Sequence, residues 1–341
     1  MKALFYGSDA REQKYITDKI KERGIPVEPV FYPKALPQGA TPDDSQAEIL
    51  SVFVDSVVDK EMIEKLPNLK CIATRSTGFD HIDLAASGAR GIVVTNVPSY
   101  GENTVAEYAF ALLLTLSRKI SQAYERVRET GSFSFEGLEG FDLFGKTLGV
   151  IGTGRIGKHA IKIGNGFSMK VLGFDAFPNP ALATELGFTY DTFENVLAKS
   201  DVVTIHVPYM KETHHLINEK AFTSMKPGAY LINTSRGAVV DTDALIRALQ
   251  KGTLGGAGLD VLEEEGIVKD EMKFLVEGHP NAENLKIALE NHVLIDLPNV
   301  VITPHNAFNT REGKERILAT TVDNIAAFMA KKPINIVAPH A

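Results

Sequence analysis

Residues 146–164, KTLGVIGTGRIGKHAIKIG, decide how the rest of the chain reads. TLGVIG is an apolar, strand-like run. Gly152, Gly154 and Gly157 follow with GxGxxG spacing, and RIGKHAIKI begins a helix. A glycine triplet alone says little, because glycines are common in turns. Between a strand and a helix it has a mechanism. The glycines permit a tight turn and close backbone approach, so pyrophosphate oxygens can meet the N–H groups of the helix's first turn.

The next strand-like run, KVLGFD, ends in Asp175, eighteen residues beyond Gly157. An acid about 20 residues on binds the adenosine ribose hydroxyls and repels a 2′-phosphate. Ala176 and Phe177 follow, with no Arg or Lys to receive that phosphate. The pattern predicts an NAD site in preference to an NADP site.

Outward from this unit, short apolar runs alternate with helical segments. KALFYG, VEPVFY, ILSVFV, LKCIAT and GIVVTN form one such series within residues 1–100, and YPKALPQGATPDDS reads as a loop. Alternation of this kind favours parallel βαβ units, hence an α/β fold. From Asn103 the sequence predicts one long helix, NTVAEYAFALLLTLSRKISQAYERVRE, then a Gly/Phe-rich connector, TGSFSFEGLEGFDLFG. A domain crossover is expected near residue 100, with a second α/β unit from Lys146. In the last segment, Arg311–Lys331, Ile317, Leu318, Val322, Ile325 and Met329 recur in steps of three and four, predicting an amphipathic helix.

Composition narrows the function. At 341 residues two domains are expected, and 44% apolar with 23% charged residues is ordinary globular material. A net charge of −7 argues against nucleic acid, which needs clustered Lys and Arg. Cys71, the only cysteine, lies in an apolar run and reads as a buried structural thiol. The first residues turn polar too soon for a signal-peptide core. AFALLLTL at 109–116 is too short to span a membrane, so the expected location is the cytoplasm.

Three later strand ends carry candidate chemistry. LINTSRGAVVD, residues 231–241, presents Arg236; GGAGLDVLEEEG ends in Glu263, Glu264 and Glu265; NVVITPHN ends in His305. Ligands of open α/β sheets sit outside the carboxyl ends of the strands. A histidine there can give a proton to a developing alkoxide, a carboxylate beside it favours the protonated imidazole, and an arginine fork suits a substrate carboxylate. No metal site is expected. His214 and His215, adjacent in sequence, read as loop residues, and His206 as a strand-end residue near the cofactor.

GTGRIG, NTSRGAVVD, GGAGLDV followed by acids, and TPHNAF, in that order, resemble the D-isomer-specific 2-hydroxyacid dehydrogenases. STGFDHIDLAA at 76–86 and VPSYGENTVAEYA at 97–109 extend the likeness across most of the chain, and HNAF is most similar to the D-lactate dehydrogenase branch. The resemblance implies two Rossmann-like domains with parallel sheets. A dinucleotide-binding domain, residues 101–308, would be inserted into a discontinuous substrate domain of residues 1–100 plus 309–341. It also implies site roles. Arg236 would bind the substrate carboxylate and carbonyl, His305 would be the acid/base, and Glu265 its partner. Asp260 would face the nicotinamide carboxamide, and Arg155 and Ile156 would meet the pyrophosphate through backbone N–H groups. Val207, Pro208, Thr234 and Ser235 would line the cofactor. The backbone of Ser76, Thr77 and Gly78 would hold the substrate carboxylate, with Tyr100 and Phe308 shaping the side-chain pocket.

The expected reaction is NADH-dependent reduction of a short 2-keto acid, foremost pyruvate, to the D-2-hydroxy acid, in a homodimer or higher homo-oligomer. Alternatives are a hydroxypyruvate/glyoxylate reductase, a reductase of bulkier keto acids, or an NAD-sensing corepressor-like scaffold. Ser168 and Met169 depart from the family's small Gly-Ala pair, and Leu262 replaces its usual aromatic. The segment from Gly266 to Pro298 is longer than usual and suggests a helical excursion over the cleft or at a subunit contact.

Overall fold

Short apolar strands build the first sheet. β1 (Lys2–Tyr6), β2 (Glu28–Tyr32), β3 (Ile49–Val52), β4 (Cys71–Thr74) and β5 (Val93–Thr95) pair in parallel in the order β2-β1-β3-β4-β5. Ala3, Phe5, Ile49, Cys71 and Ala73 enter one core, while Leu4, Tyr6, Leu50, Val52 and Ile72 enter the other. Both faces are covered, which is why these strands read as continuous apolar runs rather than alternating ones. The helices between them are α1 (Ala10–Glu22), α2 (Lys60–Glu64) and α3 (Leu84–Ala89). Asp9 and Glu12 form a capping box that starts α1. The terminal helix (Arg311–Met329) buries Leu318, Val322 and Ile325 against the Cys71 face. Each such aliphatic side chain contributes about 1.5–3 kcal/mol. Cys71 is fully buried, and burial pushes its thiol up to about 12, as expected of a structural cysteine.

This computed structural model describes residues 1–37, 39–40, 42–263, 265 and 282–337, with the backbone alone for 282–284. The chain divides into two compact units: Met1–Gly101 with Asn309–Ala341, and Glu102–Phe308. Residues 266–281 of the long segment expected as a helical excursion lie outside the described residues, as does Glu264. The remainder of that segment begins with a helix, Ala282–Asp296.

The second unit opens with α4 (Glu102–Ser117) and α5 (Ile120–Thr130) where sequence periodicity predicts one helix. The break has a local cause. Lys119 takes a left-handed φ of 49°, and the Ser117 carbonyl accepts the Phe141 N–H at 2.9 Å from the connector. Gly140 approaches so closely that a Cβ there would lie 2.1 Å from the Ser117 oxygen. α4 is buried along most of its length, whereas α5 buries nothing.

A seven-stranded parallel sheet follows, with β6 (Thr147–Ile151), β7 (Lys170–Phe174), β8 (Thr189–Tyr190), β9 (Val202–Ile205), β10 (Ala229–Asn233), β11 (Leu254–Leu259) and β12 (Val300–Ile302) in the order β12-β11-β10-β9-β6-β7-β8. Strand order reverses between β6 and β9, so a topological switch point lies beside the glycine loop. α6 (Arg155–Gly166) packs against α4, and Gly164 lets it approach β6, where a Cβ would meet Leu148 at 2.7 Å. The Ser168–Met169 departure falls in the turn after α6. Ser168 sits at φ 57°, a conformation glycine adopts with less strain, while Met169 fills the adjoining core.

Candidate active site

The glycine loop joins β6 to α6. Gly152 has φ 89°, and a Cβ there would strike the His206 carbonyl at 2.8 Å and Val207 Cγ1 at 2.9 Å. At Gly157 a Cβ would lie 2.0 Å from the Gly152 oxygen, so only glycine lets the helix close on the strand. Gly154 is the N-cap of α6 with no side-chain cap, and nothing lies within 4 Å of where its Cβ would be. Arg155 and Ile156 begin the helix. Asp175 accepts the Thr153 N–H at 2.7 Å and its hydroxyl at 3.1 Å, so the acid after β7 also ties down the loop after β6.

These residues fit a dinucleotide. The helix N-terminus has no side-chain cap and lies beside Gly152 and Gly157, where a Cβ would clash with main chain. The buried Thr234 hydroxyl, just past β10, has no hydrogen-bond partner within the described residues, as expected of a polar atom that awaits a ligand. Val207 and Pro208 follow β9 at the switch point.

Beyond β10 the chain turns on Asn233, a residue outside the expected set. Its buried amide accepts the Ser235 N–H at 3.0 Å and hydroxyl at 2.8 Å, and donates to the Arg236 carbonyl at 3.0 Å. Arg236 thus leaves the sheet edge on a locked turn, half-buried, with Nη1 donating to the Ser235 carbonyl at 2.8 Å.

Asp260, at the end of β11, is fully buried. Its carboxylate accepts the Thr303 hydroxyl at 2.5 Å and the Asn306 and Ala307 N–H groups at 2.8 Å each. Burial pushes this carboxyl up, and the three donors pull it back. The carboxylate thus holds the loop after β12. That loop carries His305 at a left-handed φ of 51°. His305 Nδ1 lies 2.9 Å from Glu265 Oε1, a pair half shielded from water. Thr303, in TPH, is the second residue that sequence reasoning left without a role.

The Glu263 side chain is nearly buried. It pairs with His215 at 2.8 Å and accepts the Thr242 hydroxyl at 2.8 Å. His206 is half-buried beside the switch point, its Nε2 3.0 Å from the Thr204 hydroxyl, and burial pushes it down to about 4.

Ser76, Thr77, Gly78 and Tyr100 belong to the first unit, and Phe308 ends the second. Ser76 Oγ donates to the Gly78 carbonyl at 2.6 Å and Thr77 Oγ1 to the Val97 carbonyl at 2.7 Å, which fixes the turn after β4. The Tyr100 carbonyl accepts from Arg316. Among the described residues, no cluster of metal-ligating side chains is present and no helix is long and apolar enough to cross a membrane.

A doubly wound parallel sheet with this loop at its switch point defines an NAD-dependent dehydrogenase. Residues 110–307 match the family model described as D-isomer specific 2-hydroxyacid dehydrogenase, NAD binding domain. The chain belongs to that family. It is 40% identical over 329 residues to glyoxylate reductase of Thermococcus litoralis, covering 92% of each chain. It is 36% identical over 331 residues to D-lactate dehydrogenase of Escherichia coli, covering 96% of each. The crystal structure of D-lactate dehydrogenase from Aquifex aeolicus complexed with NAD and lactic acid superposes with a TM-score of 0.85 at 40% identity, covering 99% of this chain and 100% of that one.

Proposed function

We propose that this enzyme reduces pyruvate to D-lactate with NADH, with Arg236, Glu265 and His305 as its catalytic residues. The observation that carries the reading is the 2.9 Å pairing of His305 Nδ1 with Glu265, on the sheet edge that also presents Arg236. Bound NADH supplies the hydride. The carboxylate orients the ring through Nδ1, so Nε2 is the atom that gives its proton to the carbonyl oxygen as the alkoxide develops. Arg236 pairs with the substrate carboxylate and polarises the neighbouring carbonyl. The glycine loop with Arg155 and Ile156 takes the pyrophosphate, Asp175 the ribose, and Val207, Pro208, Thr234 and Ser235 the nicotinamide half. Asp260 acts through the His305 loop. Ser76, Thr77 and Gly78 contribute backbone N–H groups to the carboxylate, and Tyr100 and Phe308 limit the side chain.

Pyruvate is favoured by the likeness to D-lactate dehydrogenases, one of them bound to lactic acid. Glyoxylate is the second reading, because a relative at 40% identity is a glyoxylate reductase. The test is NADH oxidation with pyruvate, glyoxylate, hydroxypyruvate, 2-ketoisocaproate and phenylpyruvate, with product chirality checked on the best. Turnover confined to glyoxylate or to the larger acids would move the substrate; no turnover on any of them would refute the reading.

We also assign a homodimer. Its support is the face of α5, where Ile120, Tyr124 and Val127 stand exposed at helical spacing, followed by exposed Phe133 and Phe135. Tyr124→Glu should convert the dimer to a monomer in light scattering, and a wild-type monomer would refute the assignment.

A further inference from the structure

The His215–Glu263 pair lies outside the set of groups that touch substrate or cofactor, yet it touches both segments that deliver them. On one side, the His215 N–H donates to the Ala238 carbonyl at 2.9 Å, two residues beyond Arg236. Ile217 continues the pairing, donating to Val239 at 3.1 Å, and the Asp241 N–H returns to the Ile217 carbonyl at 3.0 Å. On the other side, the His215 ring reaches Glu263 Oε1 at 2.8 Å. The second oxygen accepts the Thr242 hydroxyl at 2.8 Å, and the Glu263 carbonyl accepts the Asn291 amide at 2.9 Å. The Glu263 side chain is only 12% exposed, so both oxygens of a nearly buried carboxylate are satisfied.

Main chain closes the same gap. A Cβ on Gly237 would lie 2.0 Å from the Leu262 carbonyl carbon and oxygen and 2.3 Å from the Glu263 nitrogen. The turn that carries Arg236 is therefore pressed directly onto the segment that ends in Glu265. His215 itself is held at a left-handed φ of 48°, its ring stacked on His214 at 3.9 Å between centroids. A left-handed histidine with both its main chain and its ring committed is a costly local conformation, retained where surrounding contacts over-determine it.

We propose that His215, Glu263 and Thr242 form a positioning brace that fixes the spacing between Arg236 and the Glu265–His305 pair. The inference rests on the proposed roles of those three residues. Loosening the brace lets the carboxylate clamp and the acid/base drift apart, and a misplacement of about 1 Å costs on the order of 10²-fold in rate. The glycine loop lies at the far side of β9 and β10 and takes no part in it.

The test uses the full-length protein with NADH. Glu263→Ala and, independently, His215→Ala should lower kcat/KM for the keto acid by about tenfold or more, while Kd for NADH stays at the wild-type value. Glu263→Gln, with the Thr242 hydroxyl turned to accept from the new amide, and His215→Gln keep the side-chain hydrogen bonds and should restore most of the activity. A readout that does not need turnover is the downfield Nδ1–H resonance of His305 in histidine-labelled protein, which depends on Glu265 staying in place. It should broaden or vanish in both alanine variants and persist in both glutamine variants. If the alanine variants keep the resonance and lose only thermal stability, or lose NADH binding in parallel with kcat/KM, the brace is refuted. If the wild type reduces no keto acid while the resonance still responds as described, the brace stands and the assigned reaction falls.

Discussion

Asp260 and His305 are joined through the main chain, the Asp260 carbonyl accepting the His305 N–H at 2.8 Å. The same aspartate uses its carboxylate on the next two residues, Asn306 and Ala307. The left-handed backbone at His305 is thereby clamped from both sides. Asp260→Asn places an amide among three donors, and an amide can accept only through its one oxygen. The expected result is a loss of about 1–3 kcal/mol in stability together with a lower kcat. Urea unfolding and steady-state kinetics measure both; a variant with wild-type values in each would show that the clamp is incidental.

Arg236 and His305 should separate binding from chemistry. Arg236→Lys replaces a planar fork with a point charge, so KM for the keto acid should rise by about 10²-fold while kcat falls less. His305→Gln removes the proposed proton donor and should lower kcat by about 10²–10⁴-fold. Neither change touches the glycine loop, so NADH titrations followed by fluorescence should be unaltered. Equal loss of NADH affinity in both variants would count against the division of roles.

Much of this arrangement is legible in sequence because parallel strands announce their ends. Apolar runs close on Asp175, Arg236 and His305, and in a parallel sheet those ends lie on one edge whatever the exact register. What stays hidden are contacts between residues distant in sequence that share no period. Asn233 looks like one more polar residue after a strand, and only the fold shows its amide locking the turn of Arg236. His215 and Glu263 are 48 positions apart, and nothing local marks them as partners. The helix break at Lys119 is hidden for the same reason. Its cause is the Phe141 N–H, supplied by a connector beyond the second helix.

Asp175 holds the loop after β6 and is the proposed ribose-binding acid, and a substitution should expose both roles. Asp175→Ser removes the charge that repels a 2′-phosphate and also the acceptor for the Thr153 N–H and hydroxyl. NADH should bind more weakly by about tenfold, and the preference for NADH over NADPH should shrink by a larger factor. KM values for both cofactors with one keto acid decide it. An unchanged ratio would mean that discrimination lies elsewhere.

His206 sets an acid limit on stability. Burial beside the switch point pushes its imidazole down to about 4, whereas an unfolded histidine titrates near its ordinary value of about 6.5. Between those values the unfolded chain binds more protons than the folded one, so stability is lost as pH falls from about 6.5 toward 4. The full difference corresponds to about 3 kcal/mol. Above the ordinary value both states are neutral and the residue adds no pH dependence. His206→Gln retains a partner for the Thr204 hydroxyl, now 3.0 Å from Nε2, and cannot titrate. Its urea midpoint should match that of the wild type at pH 8 and exceed it increasingly below pH 6. Parallel midpoint curves for the two proteins across that window would place the titrating group elsewhere.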